Sequence, residues 1–263
     1  MANIKVIIPV HTYDEQVGAM LSKAVSSVPK EREIIIVVPK FSMKDEIIWI
    51  LEEHPNVQII SPNEGSLDYG SGFCNLVNIG VENCNSEWFT ILEFDDEFTD
   101  IWFKNVDEYI ESDPDVSVFL PLTELIDFND KKFIGYGNEA PWATSFSEEI
   151  GVIDNDCLQQ YFDFNLTGSI FNVKDWNYCG GLKNSMKLVF WYEFLLRVTH
   201  LGKKIMVIPK LGYKHYVDRE NSLFEGYRNT IDEKESEWWF ETAKKESFYQ
   251  KDRNKTYEKD KEN

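Results

Sequence analysis

The chain has 263 residues, 43% hydrophobic and 14% aromatic, enough apolar mass for one large domain, which excludes disorder as the overall state. Its 46 acidic against 27 basic residues give a formal net charge of −19; so acidic a chain repels polyanions, and nucleic acid is an unlikely partner. Cys74, Cys84, Cys157 and Cys179 form no CxxC pair, which disfavours structural zinc and fits a reducing, cytoplasmic setting, and no apolar run reaches the roughly 20 residues of a membrane span.

Residues 4–10 (IKVIIPV) are a nearly unbroken β-branched run, the pattern of a strand buried on both faces of a parallel sheet. Residues 17–28 follow at helical spacing, with Val17, Met20, Leu21, Ala24, Val25 and Val28 on one face. A second buried strand covers 33–38, a short helix 45–53 and a third strand 57–60. This alternation, with short connections, predicts a right-handed, Rossmann-like α/β sheet. A glycine-rich loop at 63–72 (NEGSLDYGSG) leads into a helix over 73–82. The strand over 88–94 (WFTILEF) runs directly into Asp95, Asp96 and Glu97. In open α/β sheets ligands sit beyond the carboxyl ends of the strands, so the acidic cluster stands where a site is expected.

A helix over 102–111 and a strand over 116–120 come next, and 127–163 reads as loops and short strands. The spacing then predicts a strand over 168–173, a helix over 187–201 and a strand over 204–208. Residues 231–252 form a helix carrying Trp238, Trp239, Phe240 and Phe248, and 254–263 is a charged, frayed tail. So many large apolar groups on one helix predict that it packs back on the domain or makes a homodimer contact.

Taken in order, these segments resemble the large inverting GT-A glycosyltransferase family that includes bacterial polysaccharide and spore-coat enzymes. Family members open with V-I-I-P-x-Y-N, here VIIPVHT; they carry N-x-G and then A-R-N-x-G, here Asn63-Glu64-Gly65 and Val77-Asn78-Ile79-Gly80. Their L-D-x-D-D is matched by Leu92-Glu93-Phe94-Asp95-Asp96, and G-G-F…E-D-x-D-L-x-x-R…G-x-K by GGLKNSMKLVFWYEFLLRVTHLGKK without a gap. The closing Y-R-x-H…N-S is echoed by Tyr213-Lys214-His215 and Asn221-Ser222. The similarity covers roughly 4–222, and in general build, rather than by motif, the chain is similar to viral and phage-encoded members.

The resemblance implies a GT-A fold, Rossmann-like, with a mostly parallel central sheet flanked by helices and a C-terminal helical appendage. It implies a glycosyltransferase domain over 1–225, with a nucleotide-binding half at 1–98 and an acceptor half at 99–225, and an appendage over 226–263. The expected activity is metal-dependent, inverting transfer of a sugar from a nucleotide-sugar, a UDP-sugar first among donors, to a hydroxyl of a glycan or glycoprotein. A departing diphosphate needs countercharge, and Mn²⁺ or Mg²⁺ takes carboxylate oxygens. Asp95 is the leading metal and catalytic residue, with Glu93, Asp96 and His215 beside it. Pro9, His11 and Thr12 end the first strand, where the nucleoside of the family sits, with Asp14 or Glu15 as hydrogen-bond acceptors; Asn63, Gly65, Asn78, Glu93 and Trp191 complete the donor set.

Two departures stand out. Where the family ends its second strand with D-D-G-S, this chain has Val38-Pro39-Lys40, and where the family has E-D, its catalytic base, this chain has Phe190-Trp191. Glu193 is the remaining carboxylate of that segment and the expected base, or else the partner of Arg197 one helical turn on. Failing Glu193, the middle loops offer Glu139, Glu148, Asp154 and Asp156. Trp191 is expected to stack on the sugar. The departures support one alternative, a catalytically degenerate GT-A fold that binds a sugar or a protein. A nucleotidyltransferase ranks third, because no G-x-G-T-R-like loop follows the first strand.

Overall fold

The computed structural model describes residues 1–62, 72–144, 146–231 and 233–245. Asn63 and Gly65 of the glycine-rich loop and Phe248 of the tail lie outside the described residues.

The N-terminal half alternates as its pattern requires: β1 (Ile4–Pro9), α1 (Glu15–Ser26), β2 (Ile34–Val37), α2 (Ser42–Ile47), α3 (Ile50–Glu53), β3 (Val57–Ile60), α4 (Phe73–Glu82) and β4 (Trp88–Ile91). β1 and β2 are buried at every position, because helices cover both faces of the sheet. Ile7, Ile35 and Val37 point into a core shared with α4, whereas Val6, Ile8, Ile34 and Ile36 join the core under α1. Each fully buried Ile or Val contributes about 1.5–3 kcal/mol relative to an exposed one. Gly80 lets α4 lie close on β1: a Cβ there would stand 2.5 Å from Ile7 Cγ2.

The second half contains β5 (Glu97–Phe98), α5 (Trp102–Ser112), β6 (Val116–Asp127), β7 (Phe133–Gly137), β8 (Val152–Ile153), α6 (Asn155–Gln160), β9 (Ile170–Asn172), α7 (Val173–Cys179), α8 (Phe190–His200), β10 (Lys204–Val217), α9 (Leu223–Thr230) and α10 (Glu233–Ala243). The described strands form one sheet in the order β3-β2-β1-β4-β9-β6-β10-β5, with β7 paired to β6 and β8 to β10. β3, β2, β1 and β4 run parallel; β9 is antiparallel to both β4 and β6, and β10 is parallel to β6. The fold is therefore the expected α/β type, parallel through its first half and mixed through its second.

Several elements differ from the sequence expectation. β6 and β10 run to Asp127 and Val217, well past 120 and 208, because their distal halves are only partly covered and carry polar residues that blur the strand signal. The helix expected over 231–252 is preceded by α9, which Ser222 caps by accepting the Glu225 N–H at 3.1 Å. α10 then packs on the domain: Ala243 is fully buried, and the Phe240 ring lies 4.5 Å from Phe162 and 6.2 Å from Tyr192. The four cysteines are unpaired. No helix among the described residues is long and apolar enough to cross a membrane.

Candidate active site at the strand ends

β4 stops at Ile91, three residues earlier than its sequence suggests, and the chain turns: the Asp96 N–H donates to the Glu93 carbonyl at 3.1 Å. The next two residues, β5, pair antiparallel with β10, placing Phe98 opposite Tyr213 and Glu97 opposite Lys214. This register carries Asp96 to His215. One Asp96 oxygen lies 2.8 Å from His215 Nδ1, and the other accepts the Tyr216 N–H at 2.8 Å. The Tyr216 hydroxyl donates to Glu97 at 2.9 Å, and the Tyr213 hydroxyl accepts the Glu93 N–H at 3.1 Å. Tyr213 fits because residue 168 is glycine: a Cβ there would stand 2.3 Å from the Tyr213 ring, and its φ of +77° is left-handed. Past β10, Asp218 at φ 60° turns the chain back, and Arg219 Nε donates to Asp95 Oδ2 at 2.6 Å. The guanidinium lies 5.3 Å from the Phe94 ring, whose other neighbour is His11 at 5.4 Å.

Three carboxyl groups thus face Arg219 and His215 in a poorly solvated place, and burial beside a like charge shows in the proton affinities of Glu93 and Asp95. Burial, then the Asp96 charge, pushes Glu93 up to about 8. Burial and Asp96 also raise Asp95, against the pull of Arg219. Burial works to discharge His215, but the Asp96 carboxylate outweighs it and holds the imidazole at about 9. His11 goes the other way, down to about 4, through burial and then the Arg219 charge.

Glu93, Asp96 and His215 can each offer one ligand atom, all within 4.8 Å of one another. Two carboxylate oxygens and an imidazole nitrogen suit a divalent cation of the Mn²⁺ or Mg²⁺ kind, and the excess of acids over basic partners favours one. Asp95, expected to lead this set, has one oxygen bonded by Arg219 at 2.6 Å.

The cluster opens on a cavity of about 520 Å³. Of the residues singled out from sequence, Pro9, His11, Glu93, Asp95, Trp191 and His215 line it. Its lining also includes an aromatic group, Tyr161, Phe162, Phe164, Tyr192 and Phe240, whose rings pack on one another. Trp191 stacks on Phe171 with planes 10° apart. Thr12 is exposed and outside the cavity wall; Asp14 caps α1 by accepting the Val17 N–H at 2.8 Å, and Glu15 is an exposed first-turn residue of that helix. Asn78 lines a separate cavity of about 560 Å³ and holds the segment after α7: it accepts the Leu182 N–H at 3.0 Å and donates to the Leu182 carbonyl at 2.8 Å.

Glu193 is not brought to the cavity. It is fully buried inside α8, where Arg197 donates to both its oxygens at 2.9 Å and Lys183 adds a third contact at 2.8 Å. Arg197 in turn bonds the carbonyls of Cys179 and Gly181. A carboxylate so occupied has no lone pair turned to a substrate; the i,i+4 spacing to Arg197 was the sequence sign of this. Glu139, Glu148, Asp154 and Asp156 are absent from the cavity wall as well, and Asp154 caps α6 by accepting the Cys157 N–H at 2.7 Å. Sequence reasoning missed Arg219 and gave Tyr213 of the closing motif no role; both reach the cluster through the bulges and the end of β10.

The sequence profile of Glycosyl transferase family 2 matches residues 5–156. No curated protein matches the sequence. Among solved structures, S. aureus TarS 1-349 in complex with UDP-GlcNAc superposes with a TM-score of 0.63 at 15% identity, over 85% of this chain and 60% of that one. S. aureus TarS 1-349 in a second structure gives 0.61 at 14%, over 81% of this chain and 60% of that one. The mannosyltransferase PcManGT from Pyrobaculum calidifontis, in complex with GDP-Man and Mn²⁺, gives 0.61 at 12%, over 86% of this chain and 60% of that one. At such identities the likeness is one of fold, and this chain spans only 60% of the length of each.

Proposed function

The chain belongs to glycosyl transferase family 2, and on that premise we propose that it transfers a sugar, with inversion, from a nucleotide-sugar to a hydroxyl acceptor with the help of a divalent cation. The observation that carries this reading is the convergence of Glu93, Asp96 and His215 within 4.8 Å at the mouth of the cavity. These three residues would hold Mn²⁺ or Mg²⁺, which when bound supplies countercharge to a departing diphosphate. Arg219 is a second positive charge on the same wall; its hydrogen-bond partner among the described residues is Asp95, so it stands ready for an anionic group. We assign the nucleoside to the end of β1, beside Pro9 and His11, and the sugar ring, by its apolar face, to the aromatic residues of the lining.

The solved neighbours crystallised with UDP-GlcNAc and with GDP-Man make these two donors the first to try. A binding module without turnover is the second reading, favoured by Trp191 at the resemblance's catalytic position and by the sequestration of Glu193. The test is release of UDP from UDP-GlcNAc and of GDP from GDP-mannose, with Mn²⁺ and with EDTA. The transferase reading expects release with Mn²⁺ and none in EDTA. Mn²⁺-dependent binding of UDP or GDP without any release favours the module, and binding of neither overturns both.

A further inference from the structure

We infer that Asp163 takes the proton from the incoming hydroxyl, an inference that rests on the glycosyl-transfer reading above. In that reaction the acceptor oxygen bonds the anomeric carbon while the bond from that carbon to the diphosphate oxygen breaks, its electron pair leaving with the diphosphate. The hydroxyl proton is released in the same event and has to reach a base. On the inverting reading, that base stands across the sugar from the departing group.

Among the described residues four carboxylates line the cavity: Glu93, Asp95, Asp163 and Asp218. Glu93 belongs to the cation cluster, and Asp95 is bonded to Arg219 at 2.6 Å. Asp218 adjoins Arg219 in the turn ending β10, on the charged wall where the diphosphate would leave. His11 shares the Phe94 ring with Arg219, its own ring 5.4 Å away and the guanidinium 5.3 Å, and so stands with the charged wall as well. Asp163 is the one of the four set among the aromatic residues, between Phe162 and Phe164, and its side chain has no hydrogen bond or ion pair with any described residue.

The local structure presents this side chain. The Phe164 N–H donates to the Phe162 carbonyl at 3.0 Å, closing a three-residue turn with Asp163 at its apex. Both arms of the turn are anchored. On one side the Phe162 ring packs 5.9 Å from Tyr192 of α8 and 4.5 Å from Phe240 of α10. On the other, Phe164 packs 5.1 Å from Tyr161, and Asn138 brackets Asn165, accepting its N–H at 2.9 Å and donating to its carbonyl at 2.8 Å. Trp191, adjoining Tyr192 in α8, cannot accept a proton, and Glu193 is consumed by Arg197 and Lys183. The loop packed on Tyr192 therefore supplies, from next door, a carboxylate that α8 does not.

The experiment compares wild type with Asp163→Asn and Asp163→Glu in the full chain. Its probes are UDP-GlcNAc and GDP-mannose with Mn²⁺, with water as the acceptor; calorimetry of UDP and GDP with Mn²⁺ runs alongside. Asp163 is exposed and unbonded, so the Asn variant keeps its fold, which its melting curve checks. We expect Asp163→Asn to lower nucleotide diphosphate release by about 10²-fold or more, with affinity for UDP or GDP held within about twofold, and Asp163→Glu to restore part of the rate. Release at the wild-type rate by Asp163→Asn overturns the assignment and leaves the transferase reading intact. A wild type that binds UDP or GDP with Mn²⁺ yet never releases either from its donor also overturns it. A wild type that binds neither defeats the transferase reading itself, and Asp163 with it.

Discussion

The carboxylates after β4 and the carboxylate within α8 look alike in sequence, acidic residues set in apolar, aromatic runs, yet the fold treats them in opposite ways. Glu193 is a single negative charge met by two cations, sealed from solvent, with Arg197 tied further to two backbone carbonyls. Glu93, Asp95 and Asp96 are three carboxyl groups facing Arg219 and His215, and Glu93, Asp95 and His215 border a cavity of about 520 Å³. The first arrangement has both carboxylate oxygens paired and no opening, and it ties α8 to the loop after α7. The second has one acid more than it has basic partners and is open on one side, the condition under which a cation or an anionic ligand bound through one adds stability instead of costing it. The number of counterions and the presence of an opening, rather than the acidic residue itself, separate the structural site from the chemical one.

Breaking the closed site has the largest consequence for stability. Glu193→Ala leaves the buried Arg197 without its counter-charge, and we expect a loss of about 3–5 kcal/mol in urea denaturation. A loss under about 1 kcal/mol would mean that α8 tolerates the change and that the pair is not what fixes it.

Asp175 is the intermediate case, partly exposed and paired with Lys203 at 2.5 Å and Ser117 at 2.6 Å. Burial opposes its ionisation, but these two hydrogen bonds prevail and hold the carboxyl below its ordinary range. With the folded value depressed, its contribution is present above the unfolded pKa of about 3.9 and is lost as pH falls through the folded value. Asp175→Asn should cost about 0.5 kcal/mol at neutral pH and nothing once the carboxyl is protonated in both states, as denaturation at the two pH values reads directly. The smallest effect on stability belongs to the open site: burial and then Asp96 oppose ionisation of Glu93, a cost that Glu93→Gln removes, so its unfolding midpoint without metal should match or exceed that of wild type. A marked destabilisation would place Glu93 with Glu193 as a structural group.

The same distinction explains what could be read in the sequence. β1, β2 and α4 were legible because both faces of that half-sheet are covered, leaving continuous β-branched runs and one clean apolar helix face. β7 (FIGYG) escaped because its residues are exposed or half-exposed, so burial imposes no pattern. The acidic turn was legible as a strand-end cluster, but its partners were not: Arg219 arrives by a left-handed turn at Asp218, and the register of β5 against β10 is set by contacts far apart in the chain. Asp163 sits in YFDFN, a run without period, and only the packing of its two phenylalanines shows which way the loop faces.

The central claim, that the strand-end cluster is a cation site, is tested most directly by titrating Mn²⁺ into the protein with UDP present and following free Mn²⁺ by its electron paramagnetic resonance signal. Wild type should take up about one ion per chain, Glu93→Gln should bind at least about 10-fold more weakly, and Glu193→Gln, if it folds, should bind as wild type does. Unchanged Mn²⁺ uptake by Glu93→Gln would contradict the account.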